Sequence, residues 1–131
     1  MPGGDAGVHI VVGERREWLQ IEISGVGGTL EGATDSWTRM LAEVERSGMK
    51  RLLVIDCMHG EKTLSPADFE QLNKTVLCRF PPGVRVAFVV RDARLIPQIE
   101  HGALIGRGSG IQISLFDDLE RAATWLRYGE A

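Results

Sequence analysis

Asp56, Cys57 and His59 stand within four consecutive residues, directly after the apolar run Leu52-Leu53-Val54-Ile55, and Thr63 and Ser65 follow closely. A thiol beside an imidazole is the start of a nucleophile, but the pair needs hydrogen-bond contact and a third group to orient the ring. Two residues of separation along one chain do not supply that geometry, and nothing in the sequence places His101 nearby. Metal chemistry has no better footing: His9, His59 and His101, with Cys57 and Cys78, show no ligand spacing. No catalytic residue, metal ligand or cofactor is assigned. The binding or modification candidates are Ser65, Thr63, Asp56, His59 and three arginines, Arg91, Arg94 and Arg107. Those arginines would make an anion-binding edge, strengthened by the backbone N–H groups where a helix opens at Ser65.

These side chains are placed by the elements around them. The run 51 to 57 is apolar on both faces, as in a strand at the centre of a parallel sheet covered by helices. It turns polar at Asp56 and passes through a loop holding His59 and Gly60. The crevice beyond the carboxyl ends of such strands is where ligands usually bind. A helix then begins with Ser65 as N-cap, Pro66 at the first position and Asp68 at the third, near the positive end of the helix dipole. Its stripe is Phe69, Leu72, Val76 and Phe80, closed by Pro81-Pro82-Gly83.

Upstream, 8 to 12 (VHIVV) and 17 to 24 (EWLQIEIS) read as strands joined by a hairpin at Gly13-Glu14-Arg15-Arg16. The first strand is then an antiparallel edge strand. Trp18 falls on the polar face of an edge-type strand and is the aromatic residue best suited to a contact surface. Ala33, Trp37, Met40, Leu41 and Val44 form one helical stripe that Gly48 stops. Downstream, Val84 to Val90 is a second two-sided strand, and Asp92 to Leu104 a weaker helix interrupted by Pro97. After the glycine-rich 106 to 110, IQISLF (111 to 116) is the last strand. The last helix starts at Asp117, with Glu120 in a capping-box-like place, and its stripe is Leu119, Ala122, Ala123 and Leu126.

The order β-β-α-β-α-β-α-β-α implies one α/β domain over 8 to 128. Its sheet is mostly parallel, with an antiparallel N-terminal edge strand and helices packed over it. Residues 1 to 7 read as a flexible tail. At 131 residues, 44% hydrophobic and 25% charged, the chain can bury a core without disulfides or metal. A formal charge of −3 gives no general attraction for nucleic acid. No run approaches the ~20 apolar residues of a membrane span, and no signal peptide is read at the start. Two cysteines in apolar segments fit reduced thiols in the cytosol.

Gly25-Val26-Gly27-Gly28 sits between a strand and a helix, like a dinucleotide-binding turn, but Leu30 occupies the third glycine's place. Asp56 also invites comparison with phospho-accepting receiver domains. Those need an acidic pair after the first strand and a lysine after the fifth; here the early strands end in Gly13 and Ser24-Gly25.

With LLVIDC before a helix, VRVAFVV, and the ending ISLFDDLERAATWLR, the chain resembles the SpoIIAA-like, or STAS-like, proteins over roughly residues 8 to 128. These are small bacterial domains related in fold to anti-sigma-factor antagonists and, more remotely, to lipid-binding Sec14 (CRAL-TRIO) domains. The resemblance implies a non-enzymatic domain acting through a protein partner or a small apolar or amphipathic ligand. In the antagonists a phosphorylatable serine, in a D-S-S/T-G-type motif, opens the helix after the central strand. That motif is absent here; only Ser65, with Thr63 close by, falls in a similar place. A phospho-switch at Ser65 is the alternative, and an enzyme at the Asp56/Cys57/His59 edge a further one. The first strand's edge and Trp18 offer surface for a homodimer.

Overall fold

The computed structural model describes residues 8–59, 64–91, 96, 100 and 111–129. Strands β1 (Val8–Glu14) and β2 (Leu19–Val26) form the hairpin, and helix α1 (Leu30–Ser47) leads to β3 (Arg51–His59). Helix α2 (Pro66–Thr75) and a 3-10 turn (Leu77–Arg79) precede β4 (Arg85–Val90). Strand β5 (Gln112–Phe116) and helix α3 (Leu119–Tyr128) follow. The five strands lie in the order β1-β2-β3-β4-β5. Strand β1 runs antiparallel to β2, and every other pair is parallel.

That order decides where the helices go. Two successive right-handed crossovers stepping the same way across a sheet put their helices on one face. Accordingly α1 and α2 share a core with Leu19, Ile21, Ile23, Leu52, Val54, Val86 and Phe88. The alternate residues Leu53, Ala87 and Val89 point to the opposite face and pack against Ala122, Trp125 and Leu126 of α3. Period-two alternation thus explains why β3 and β4 read as apolar throughout: each face is covered by helix.

The caps follow local chemistry. Thr29 accepts from the Gly32 N–H at 3.0 Å to start α1. Gly48 ends α1 at φ 74°, a left-handed conformation in which a Cβ is costly. Ser65 Oγ accepts from the Asp68 N–H and the Asp68 carboxylate accepts from the Ser65 N–H, both at 3.1 Å, a complete capping box.

Several boundaries differ from the expectation. Strand β3 runs on to His59 rather than ending at 57, because β2 is long enough to pair Val26 with His59, and the Gly27 N–H donates to the His59 carbonyl at 2.8 Å. His59 is therefore a strand end and not a loop residue. Helix α2 stops at Thr75; Phe80 reaches the core through the 3-10 turn, which also buries Leu77. The cap of α3 is Asp118, whose carboxylate accepts from the Glu120 N–H at 2.8 Å. Asp117 instead lies 3.9 Å from Arg121 on an exposed face. Leu119 is 42% exposed and Trp125 takes the buried place in the stripe. The expected tail 1 to 7 lies outside the described residues. So do the glycine-rich 106 to 110 and the expected helix from Asp92 to Leu104, apart from Ile96 and Glu100.

Candidate functional site

A pocket of about 100 Å³ lies between α1, α2 and the sheet, opening at the carboxyl edge of the parallel strands. Its walls are mostly apolar: Ile23, Trp37, Met40, Phe69, Leu72 and Phe88 are typical. Trp37 anchors one side, edge-on to Phe80 at 5.9 Å between centroids and tilted against Phe88 at 5.7 Å. The space exists because α1 presents Gly32, Ala33 and Ser36 where a buried helix face would ordinarily carry large side chains. At Gly32 a Cβ would come within 2.9 Å of the capping Thr29 Oγ1 and 3.5 Å of Val8, so the small residue also permits the close approach of α1 to β1.

Two nine-tenths-buried polar side chains line this apolar space, Asp56 at 7% exposed and Ser36 at 4%. Asp56 continues the row Leu52, Val54 that faces α1 and α2, so strand alternation carries its carboxylate inward. One carboxylate oxygen accepts from the Met58 N–H at 2.9 Å, among other interactions. Ser36 Oγ donates back to the Gly32 carbonyl at 2.9 Å, which leaves the hydroxyl an acceptor toward the pocket. At the mouth are Gly27, Gly28, Thr29, His59 and Leu64.

The sequence candidates divide accordingly. Asp56 and His59 both border the pocket, one buried and the other exposed. Cys57 is half-buried, makes no hydrogen bond to His59, and is absent from the pocket wall. Ser65 is exposed, with its hydroxyl oxygen held in the capping box. Arg91 is exposed just beyond β4, whose last residue Val90 pairs with Asp56. Thr63, Arg94 and Arg107 lie outside the described residues. Trp18 is not on an edge strand: it precedes β2, which lies inside β1, and the Arg127 guanidinium sits 5.2 Å from its ring centroid. Glu17 holds that arginine at 3.1 Å. Among the described strands the edges are β1 and β5, and on β1 Val11 is 63% exposed.

Sequence reasoning passed over Ser36 and the small-residue face of α1. The signal was present in Gly32, Ala33 and Ser36, three small residues within one helical turn and a third on the side otherwise marked by Trp37 and Met40.

Among the described residues no cluster of three or more histidines, cysteines and carboxylates could hold a metal ion. No described helix is long and apolar enough to cross a membrane. No protein-family model matches the chain, and no curated protein matches it in sequence. Among solved structures it is similar to an uncharacterised protein of the DUF3478 family, with a SpoIIAA-like fold, from Shewanella loihica PV-4. The TM-score is 0.51 at 18% identity, covering 92% of this chain and 93% of that one. At that identity the likeness speaks for the fold alone. With one antiparallel edge strand, four parallel strands and helices on both faces, the chain is an α/β protein of SpoIIAA-like fold.

Proposed function

We propose that this domain is a non-enzymatic binding module that takes a small apolar molecule into the pocket between α1, α2 and the sheet. One observation carries the reading: an apolar pocket opening at the carboxyl edge of the parallel strands, which is where open α/β sheets bind ligands. Its volume of about 100 Å³ is two-thirds of the roughly 150 Å³ that holds benzene or xenon in an engineered apolar cavity. It suits a short alkyl group or the end of a longer chain. Binding of xenon or a small hydrocarbon, followed by amide shifts of pocket residues, tests it; shifts confined to other surfaces would refute it.

A non-enzymatic role is supported by Cys57, a half-buried thiol that makes no hydrogen bond to His59 and is absent from the pocket wall that Asp56 and His59 border. For the phospho-switch, the capping box supplies Ser65 with a structural role that needs no modification. Self-association is a separate reading, carried by the free edge of β1 and the exposure of Val11. A monomer by light scattering at high concentration refutes it.

A further inference from the structure

Strand β1 offers its backbone to a further strand. The Arg15 N–H donates to the Trp18 carbonyl at 2.9 Å, which makes these two a hydrogen-bonded pair at the end of the β1–β2 ladder. Such pairs alternate along an antiparallel ladder with non-bonded ones. Gly13, Val11 and His9 therefore direct their N–H and C=O groups to β2, whereas Val8, Ile10, Val12 and Glu14 point theirs away from the sheet. Among the described residues none bonds those outward groups. The usual protections of an edge are missing too: β1 holds no lysine or proline, and its register against β2 runs without a bulge. Val11 is exposed on one face, and Ile10 and Val12 are half-buried on the face that α1 covers. The carboxylate of Glu14 lies 3.6 Å from Arg46 of its own chain.

We propose that β1 pairs antiparallel with β1 of a second copy about a twofold axis through Val11, joining two five-stranded sheets into one. The proposal rests on the self-association reading and deepens it by naming the strand and the register. An axis perpendicular to the sheet sets Val11 against the partner's Val11, Ile10 against the partner's Val12 and Val8 against the partner's Glu14. The last two pairs are those with outward N–H and C=O groups, so both exchange hydrogen bonds, while the two Val11 side chains meet in a close non-bonded pair. Val11 is the middle of β1, so this register pairs the whole strand, and it sets no like charges opposite each other. The contact is the same patch on both copies and closes on itself. Strand β5, the other edge, is shorter, five residues against seven, and carries no exposed large apolar side chain. Pairing β1 with β5 of another copy would leave edges free at both ends and grow without closing.

Sedimentation velocity of the full chain between about 10 µM and about 1 mM should show a monomer–dimer equilibrium and no larger species. Val11→Lys sets two ammonium groups opposite each other at the axis and should weaken the dimer at least tenfold; because Val11 is exposed, the melt of the dilute monomer should not move. Val12→Pro removes an outward N–H that β2 does not use and should abolish the dimer. Where that variant does not fold, Val11→Lys and disulfide trapping decide. Trapping uses a Cys78→Ser background, which removes the exposed native thiol and serves as the blank. Val11→Cys should cross-link on oxidation by copper phenanthroline, since paired Cα atoms about 4.5 Å apart suit a disulfide. His9→Cys should not, because the two copies of that residue then stand about 14 Å apart. Cross-linking through His9→Cys and not through Val11→Cys overturns the register. A dimer indifferent to Val11→Lys, or oligomers that keep growing with concentration, overturns the β1 pairing and leaves self-association standing. A monomer throughout the range, including one that instead takes an extended peptide on this edge, overturns both.

Discussion

Replacing Ala33 by leucine puts three further carbons against a pocket of about 100 Å³ that α1 leaves open. At about 0.8 kcal/mol per buried CH₂, filling that space is worth about 2.4 kcal/mol. Fixing the leucine rotamer costs about 0.5–1 kcal/mol, and leucine is close to alanine in helix propensity. Ala33→Leu should therefore stabilise the ligand-free protein by about 1.4–1.9 kcal/mol. With a urea m-value of about 1–3 kcal/mol per molar, the midpoint should rise by about 0.5–2 M at constant m. The same variant should lose xenon binding, because the protein's own side chain now occupies the site. Equilibrium urea unfolding followed by far-UV circular dichroism reads the first effect and chemical-shift titration the second. Overpacking of a filled core typically costs about 1–3 kcal/mol. A fall in stability of that size with xenon binding intact would show that Ala33 does not face usable space, and the pocket argument would fail.

Met40→Ala works the pocket in the other direction. It should cost about 2–5 kcal/mol as a large-to-small core change, while shifting ligand preference to longer alkyl chains in the same titration. Ser65→Ala should lose about 0.5–2 kcal/mol through the broken cap, and Ser65→Asp, another good N-cap, should keep most of that stability. If both variants instead match the parent in urea unfolding, the cap does not explain the residue. At the start of α3, Asp118→Ala should cost about 1 kcal/mol and Asp117→Ala almost nothing, since Asp117 makes only a long, exposed ion pair. Equal losses would refute the assignment of the cap. Gly48→Ala should destabilise by about 1–2 kcal/mol although nothing lies within 4 Å of the added Cβ, because the cost is the left-handed φ of 74°. A neutral thermal melt would contradict that account.

How far the chain can be read without its structure depends on how local each determinant is. Capping at Ser65 and the stop at Gly48 depend on a few neighbouring residues, and both stand in the structure as the spacing implies. The two-sided apolar character of β3 and β4 is likewise a property of the strand, and it correctly puts both in the middle of the sheet. Errors gather where a partner strand or an adjacent candidate decides. His59 reads as loop when taken alone and becomes strand because β2 extends to Val26. Asp117 and Asp118 are equivalent by type, and only the chain's direction into α3 selects the second.

The site shows the same division more sharply. Asp56 is marked in sequence as the first polar residue after four apolar ones, yet its chemistry depends on the wall opposite. That wall is α1, about twenty residues upstream, and it faces β3 because consecutive right-handed crossovers set it there. Taken with Cys57 and His59, its neighbours along the strand, Asp56 looks like part of a catalytic edge. Strand alternation carries it inward with Val54, and the crossover gives it Ser36 as a pocket neighbour. Nearness in sequence therefore suggests a nucleophile, whereas nearness in space sets Asp56 and Ser36 on the wall of one apolar pocket. Since Ser36 comes to that wall only through the packing of α1 on the sheet, no motif scan limited to adjacent residues would pair it with Asp56.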